Sequence, residues 1–254
     1  MDVVITGITG HDGSFLAEKY LAEGHNVHGM VRRTSEIKRT RLDKLRKEKS
    51  DNLALFYGDL SDLSQLRREI TRLQPDLIFH LAGQSHVGIS FEIPETTMQE
   101  VANATLGLLE LCRDLSPRSR ILLVGSSEVY GNPAEIPQNE TTPHSPTSPY
   151  GCAKSCALQF GRVYREAFDL GVSSVSPYNH ESGRRGENFV TRKITRTASQ
   201  ISLGRPEVLE LGNLDGARDW GYAPEYADGM SRIIEAENAD DFVLATGVST
   251  TVRE

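Results

Sequence analysis

An α/β fold built on a doubly wound parallel sheet, with a smaller C-terminal lobe, is what this 254-residue sequence predicts, on three observations. Short apolar runs alternate with longer amphipathic stretches through residue 175, as strands and helices do when they take turns along a chain. A glycine-spaced turn, Gly7-Ile-Thr-Gly10-His-Asp-Gly13, joins the first run to the first stretch. Beyond about residue 176 the alternation gives way to glycine- and arginine-rich segments, the composition of a lobe rich in loops.

The first strand is read over Val3–Ile5 and the first helix from Ser14 to Glu23, so the glycine turn sits where strand passes into helix. That is the context of a dinucleotide site: glycines let backbone approach a pyrophosphate, and the helix N-terminus offers unpaired N–H groups and positive dipole. Any tightly packed strand-turn-helix uses glycine similarly, so the spacing alone leaves both readings open. A second strand, Val27 to Val31, ends in Arg32 and Arg33, where an NAD site would place an acid and an NADP site an arginine. NADP is the favoured reading, although the same arginines open a basic stretch to Lys49 that reads also as solvated surface. Later strands fall at Leu53–Tyr57, Leu77–His80 and Ile121–Val124, with helices near Leu63–Leu73, Thr97–Asp114 and Pro149–Leu170. The segment from Pro133 to Pro149 holds five of the eleven prolines and reads as an extended loop leading into Tyr150. A helix near 224–236 is expected to return from the lobe (176–254) to the first domain (1–175).

Composition limits the function classes. A chain of this length with 38% hydrophobic content can bury a full core. The net charge of −7 argues against nucleic acid as a partner, since few phosphates would be neutralised. No charged-then-apolar leader is read and no apolar run reaches the length of a membrane span, so a cytoplasmic protein is expected. Cys112, Cys152 and Cys156 lack metal-ligand spacing, and neither a disulfide framework nor a metal is expected.

Tyr150 and Lys154 stand four apart on a predicted helix and share a face, so the ammonium is expected to lower the phenol's pKa and hold a ribose hydroxyl. Such a phenol serves as base toward an alcohol being oxidised by a nicotinamide. Ser126 follows the strand ending at Val124, at the carboxyl end of the sheet where ligands bind in open α/β folds.

With the glycine turn, Ser126, Tyr150 and Lys154 in place, the sequence resembles the extended short-chain dehydrogenases/reductases, a Rossmann-type superfamily acting mainly on nucleotide sugars. Glu128 adds a carboxylate that a dehydratase of that branch needs to take the proton from sugar C5, and that its epimerases lack. The segments from Ile5 (Ile-Thr-Gly-Ile-Thr-Gly-His-Asp-Gly-Ser), from Gln84 (Gln-Ser-His-Val-Gly-Ile-Ser-Phe-Glu), from Asn179 to Lys193 and from Leu211 (Leu-Gly-Asn-Leu-Asp-Gly-Ala-Arg-Asp-Trp-Gly) resemble GDP-mannose 4,6-dehydratases. The resemblance implies an NADP-dependent dehydration of GDP-mannose with Ser126, Glu128, Tyr150 and Lys154 as the catalytic set. It places Gly7, Thr9, Gly10, His11, Asp12 and Gly13 along the pyrophosphate, Arg32, Arg33 and Ser35 at the 2′-phosphate, and Asp59 and Leu60 at the adenine. Leu81, Ala82, Gly83 and Ser85 would run beside the ribose and nicotinamide, and His180 and Arg185 complete the cofactor shell. Substrate contacts are implied for Ser85, Ser126, Glu128, Asn179, Arg192, Lys193 and Arg218.

His11 stands where the family usually has glutamine. Ser176 and Pro177 interrupt a strand that is apolar in the family, so that strand is expected at a sheet edge or cut short. Relatives continue past Glu254, so a truncated lobe is expected; the Arg184-Arg185 loop is expected to reach a neighbouring subunit in a homodimer or tetramer. Two other readings stay open: a sister enzyme acting on another sugar nucleotide such as GDP-heptose, and a fragment that holds NADP without turnover.

Overall fold

The computed structural model describes residues 1–33 and 41–254, with the side chain of Ser50 left aside. In chain order its elements are β1 (Asp2–Thr6), α1 (His11–Ala22), β2 (Asn26–Val31), α2 (Asp43–Glu48), β3 (Leu53–Tyr57), α3 (Ser64–Leu73), β4 (Leu77–His80), α4 (Val87–Glu92), α5 (Pro94–Met98), α6 (Ala104–Leu115), β5 (Arg120–Val124), α7 (Pro149–Phe168), β6 (Val172–Pro177), β7 (Asn179–Glu181), α8 (Val190–Ser202), β8 (Ala217–Tyr222), α9 (Ala223–Glu235), β9 (Asp241–Leu244) and β10 (Ser249–Thr251). Seven strands form a parallel sheet in the order β3-β2-β1-β4-β5-β6-β9, and β10-β8-β7 form a small second sheet.

Strand periodicity assigns the two cores. Val3 and Ile5 of β1 face one way, into a cluster with Leu16 and Tyr20 of α1 and Met230 and Ile234 of α9. Val4, between them, faces the opposite cluster with Leu66 and Ile70 of α3, Leu108 of α6 and Leu158 of α7. A strand buried on both faces needs a continuous apolar run, which Leu77–Phe79 of β4 supplies. α9 therefore packs beneath the first half of the chain although it follows β8 in sequence, and Tyr20 hydrogen-bonds Ser231 at 2.9 Å.

Three features differ from the sequence reading. β6 lies inside the sheet, between β5 and β9, and is buried along its whole length. Pro177 is its last residue, and the next ladder bond is made by Tyr178, whose N–H donates to the Leu244 carbonyl at 2.8 Å, so the missing proline donor costs nothing there. The helix expected over Thr97–Asp114 is divided into α5, a π-helical turn over Gln99–Asn103, and α6. The stretch after residue 176 holds two helices, α8 and α9, rather than loops with a single returning helix.

Candidate active site

The strand order reverses between β1 and β4, and a cavity of about 800 Å³ opens at the carboxyl ends of those strands. Thr6 stitches the crevice floor: its hydroxyl oxygen accepts the N–H groups of Leu81 and Ala82, each at 3.2 Å. The next residue turns sharply, and only glycine suits it, because Gly7 has φ +74° and a Cβ there would lie 2.9 Å from the Ala82 nitrogen. Gly13 allows the return, since a Cβ on it would lie 2.5 Å from the Gly7 carbonyl oxygen. α1 then starts from Gly10 with no side-chain cap, leaving its first N–H groups to face the cavity.

These features fit a dinucleotide. The cavity runs from the glycine turn past Met30, Gly58, Asp59 and Leu60, and along Leu81–Gly83 to Ser85. Thr9, Gly10, His11 and Asp12 border it too, as expected for the pyrophosphate. Arg32 borders it and is 66% exposed, with Nη1 3.2 Å from Oε1 of Glu100, an acidic neighbour not foreseen from sequence. Arg33 is exposed and does not border the cavity; Ser35 lies outside the described residues.

Ser126, Glu128, Tyr150 and Lys154 are brought together on one cavity wall. Ser126 caps the short 3-10 turn Ser127–Val129, its hydroxyl accepting the Glu128 N–H at 3.3 Å. α7 begins with Ser148 as N-cap and Pro149 in the first turn, and Tyr150 donates its N–H to the Ser90 hydroxyl at 3.2 Å. Gly151 closes the approach of the two segments: a Cβ there would lie 2.6 Å from the Glu128 carbonyl oxygen. The glycine after the tyrosine thus draws the carboxylate's backbone against the start of α7.

The electrostatics of this wall differ from expectation. Burial pushes the Tyr150 phenol up to about 12, against the opposing hydrogen bond with Ser126, and the nearby Glu128 charge adds to the rise. Lys154 does not lower it, because its ammonium donates to the Val124 carbonyl at 2.6 Å and lies 5.9 Å from the phenol ring centre. Burial instead pulls Lys154 down to about 8.

His180 sits between two acceptors: Nδ1 is 2.6 Å from the Tyr178 carbonyl and Nε2 is 3.0 Å from Oδ1 of Asp12. Both nitrogens must then carry protons, making a buried imidazolium paired with a carboxylate. The pKa values agree: burial would lower His180 but Asp12 raises it, and burial would raise Asp12 but His180 and then His11 hold it far below the carboxylate range. His11 lies 3.1 Å from the same Asp12 oxygen through Nδ1, and its Nε2 reaches the Ser182 hydroxyl at 2.7 Å, tying the glycine turn to the lobe. The His11, Asp12 and His180 ligand atoms lie within 4.8 Å of one another, a spacing already explained by the charged pair.

On the lobe side, Asn179, His180, Arg185 and Arg218 border the cavity. Arg192 and Lys193 do not: the wall is formed by Asn188, Phe189 and Val190, and those two residues stand further along α8, half-buried and exposed respectively. The Arg184 side chain folds onto this chain's own α1, hydrogen-bonding Ser14 at 3.2 Å, pairing with Glu18 and lying 4.0 Å over the Phe15 ring. Sequence reading missed Ser127, His86 and Phe189 as wall residues. His86 stands inside the segment quoted from Gln84, but nothing in its spacing marks it as facing a cavity.

The sequence matches the profile of the GDP-mannose 4,6 dehydratase family over residues 4–254. It is 49% identical to the GDP-mannose 4,6-dehydratase of Sinorhizobium fredii over 98% of this chain and 73% of that protein. With the human GDP-mannose 4,6 dehydratase it shares 44% identity over 99% of this chain and 69% of that one. Among solved structures, a dTDP-glucose 4,6-dehydratase from Streptomyces venezuelae superposes with TM-score 0.88 at 23% identity, covering 100% of this chain and 78% of that one, a likeness of fold. Glu128 beside Ser126, Tyr150 and Lys154 on a dinucleotide-type cleft, and identity of this degree over nearly the whole of this chain, together place it in the GDP-mannose 4,6-dehydratase family.

Proposed function

We propose that the protein converts GDP-D-mannose to GDP-4-keto-6-deoxy-D-mannose, with NADP as a hydride carrier that ends as it began. The observation that carries this reading is Glu128 on the same wall as Ser126 and Tyr150, because oxidation at C4 needs the tyrosine and loss of water needs a base at C5. When bound along the glycine turn and Leu81–Gly83, the nicotinamide cofactor would supply a hydride acceptor for C4 and a hydride donor for C6. Tyr150, hydrogen-bonded to Ser126, takes the C4 hydroxyl proton. The new C4 ketone acidifies the C5 hydrogen, Glu128 removes it, and the C6 hydroxyl leaves as water on receiving a proton from Glu128 or a neighbouring hydroxyl; as hydride adds at C6 of the resulting enone, C5 takes up a solvent-exchanged proton through Glu128. Asn179 and Arg218 hold the diphosphate, the guanidinium by charge-assisted bonds. Lys154 is assigned to the cofactor ribose. The cytoplasmic compartment belongs to the same proposal, supported by three cysteines free of disulfides.

The test is incubation with GDP-mannose in heavy water. A 4-keto-6-deoxy product carrying one deuterium at C5 is expected; absence of conversion by protein with bound cofactor would sink the reading. For the cofactor, Arg32→Ala combined with Arg33→Ala is expected to weaken NADP by about 10- to 100-fold, the worth of charge-assisted bonds to a phosphate, and to leave NAD nearly unchanged. Titration with both cofactors checks it, and equal losses would mean that these arginines do not read the 2′-phosphate.

A further inference from the structure

His86 is held in place more firmly than a cavity-wall residue needs. The Gln84 side chain clamps its backbone from both sides, accepting the His86 N–H and donating to the His86 carbonyl at 3.0 Å, and Gln84 is itself braced by Thr97 at 3.3 Å. The ring is fixed as well. The Ile89 N–H donates to Nδ1 at 3.2 Å, so that nitrogen carries its lone pair toward the start of α4. In a neutral imidazole the other nitrogen must then bear the proton. Nε2–H is therefore a donor whose direction is set by the backbone, and among the described residues it has no hydrogen-bond partner.

The residue borders the cavity beyond the cofactor stretch. Its ring lies 6.0 Å from that of Phe189, so it bridges from the α4 side toward the lobe wall of Asn188 to Val190. Its helix is anchored to the reacting end, because Ser90 of α4 accepts the Tyr150 N–H at 3.2 Å. Helix α4 thus supports the backbone of the base through Ser90, and its N-cap His86, with Nδ1 engaged, lines the same cavity.

We propose that His86, as the neutral Nε2–H tautomer, donates a hydrogen bond to a hexose hydroxyl of the sugar nucleotide and so sets how the sugar sits against Tyr150 and Glu128. The assignment rests on the proposed nucleotide-sugar reading and adds to it a binding residue and a fixed tautomer. A rigid donor orients a hexose with little loss of freedom on binding, which is why the backbone clamp and the tautomer lock belong to the same device. The donor is the imidazole itself, since the helix N–H that it caps is already used.

The test separates the cap from the donor. Asparagine is a good N-cap but is too short to extend an N–H to the position of the imidazole Nε2. In the full chain with cofactor bound, His86→Asn is expected to weaken GDP-mannose binding about ten-fold, the loss of one hydrogen bond, while GDP binding and the melting temperature stay as in the unchanged protein. His86→Ala is expected to lose the same affinity and to melt earlier, having lost the cap as well. Unchanged GDP-mannose affinity in His86→Asn would overturn the proposal, and equal weakening of GDP would overturn the assignment to the hexose. Direct titration of GDP-mannose keeps this result distinct from the dehydratase reading itself, which turnover by the unchanged protein decides.

Discussion

Glu128→Gln is expected to stop dehydration while leaving both ligands bound. The substitution keeps size and shape and removes only the ability to accept a proton, and general base catalysis of this kind contributes about 10²- to 10⁴-fold. The backbone at 128 is placed by the Ser126 hydroxyl and by contact with Gly151, neither of which depends on the carboxylate. Tyr150 and Ser126 are untouched, so oxidation at C4 should still proceed and the reaction should halt at the 4-ketone, with the nicotinamide left reduced. Cofactor absorbance after mixing with GDP-mannose reads the first half, and deuterium uptake at C5 reads the second. Reduced cofactor without C5 exchange assigns Glu128 to the C5 proton; exchange at the unchanged protein's rate removes that assignment and leaves the carboxylate a binding group.

Much of this was legible because the sheet announces itself in apolar runs: Leu53–Tyr57 and Leu77–His80 are strands with the predicted bounds, and β1, β2 and β5 differ by a residue or two at their ends. The glycine turn was legible too, since a site where any Cβ would lie within 3 Å of other backbone leaves only one residue type. α8 was not, because its apolar residues, Val190, Ile194, Ala198 and Ile201, form a stripe only one residue wide among arginine, lysine, threonine and serine. The π turn over Gln99–Asn103 has no composition signal at all. Of the two readings of β6, the sheet edge was wrong, since β6 lies between β5 and β9, whereas the proline does close the strand, which ends at Pro177. The charge state of Tyr150 was misread: four-residue spacing puts Lys154 on the same helix face, but only the fold reveals that the Val124 carbonyl takes the ammonium. Spacing reports direction from a helix axis, whereas a pKa depends on what else reaches the group and on how much water is excluded.

Tyr150→Phe follows from that last point and carries a pH signature. With the phenol at about 12 in the ligand-free protein, nearly all molecules at neutral pH hold a protonated tyrosine, and the fraction of phenolate rises ten-fold with each pH unit. The steady-state ratio kcat/KM reports the free protein, so it should climb with pH through the neutral range. The climb should level near pH 8, where buried Lys154 loses its proton and with it the only ammonium on that wall among the described residues. The sign is fixed by the groups: raising pH makes more of the active base, and above about 8 it removes the cation that holds the ribose. Tyr150→Phe removes the base and should cut turnover by about 10²- to 10⁴-fold with a pH profile that no longer climbs. Substrate and cofactor affinity should change little, since the ring remains and only its hydroxyl, engaged with Ser126, is lost. A Tyr150→Phe protein whose reduced activity still climbs with pH would place the titrating base elsewhere and overturn the assignment of Tyr150.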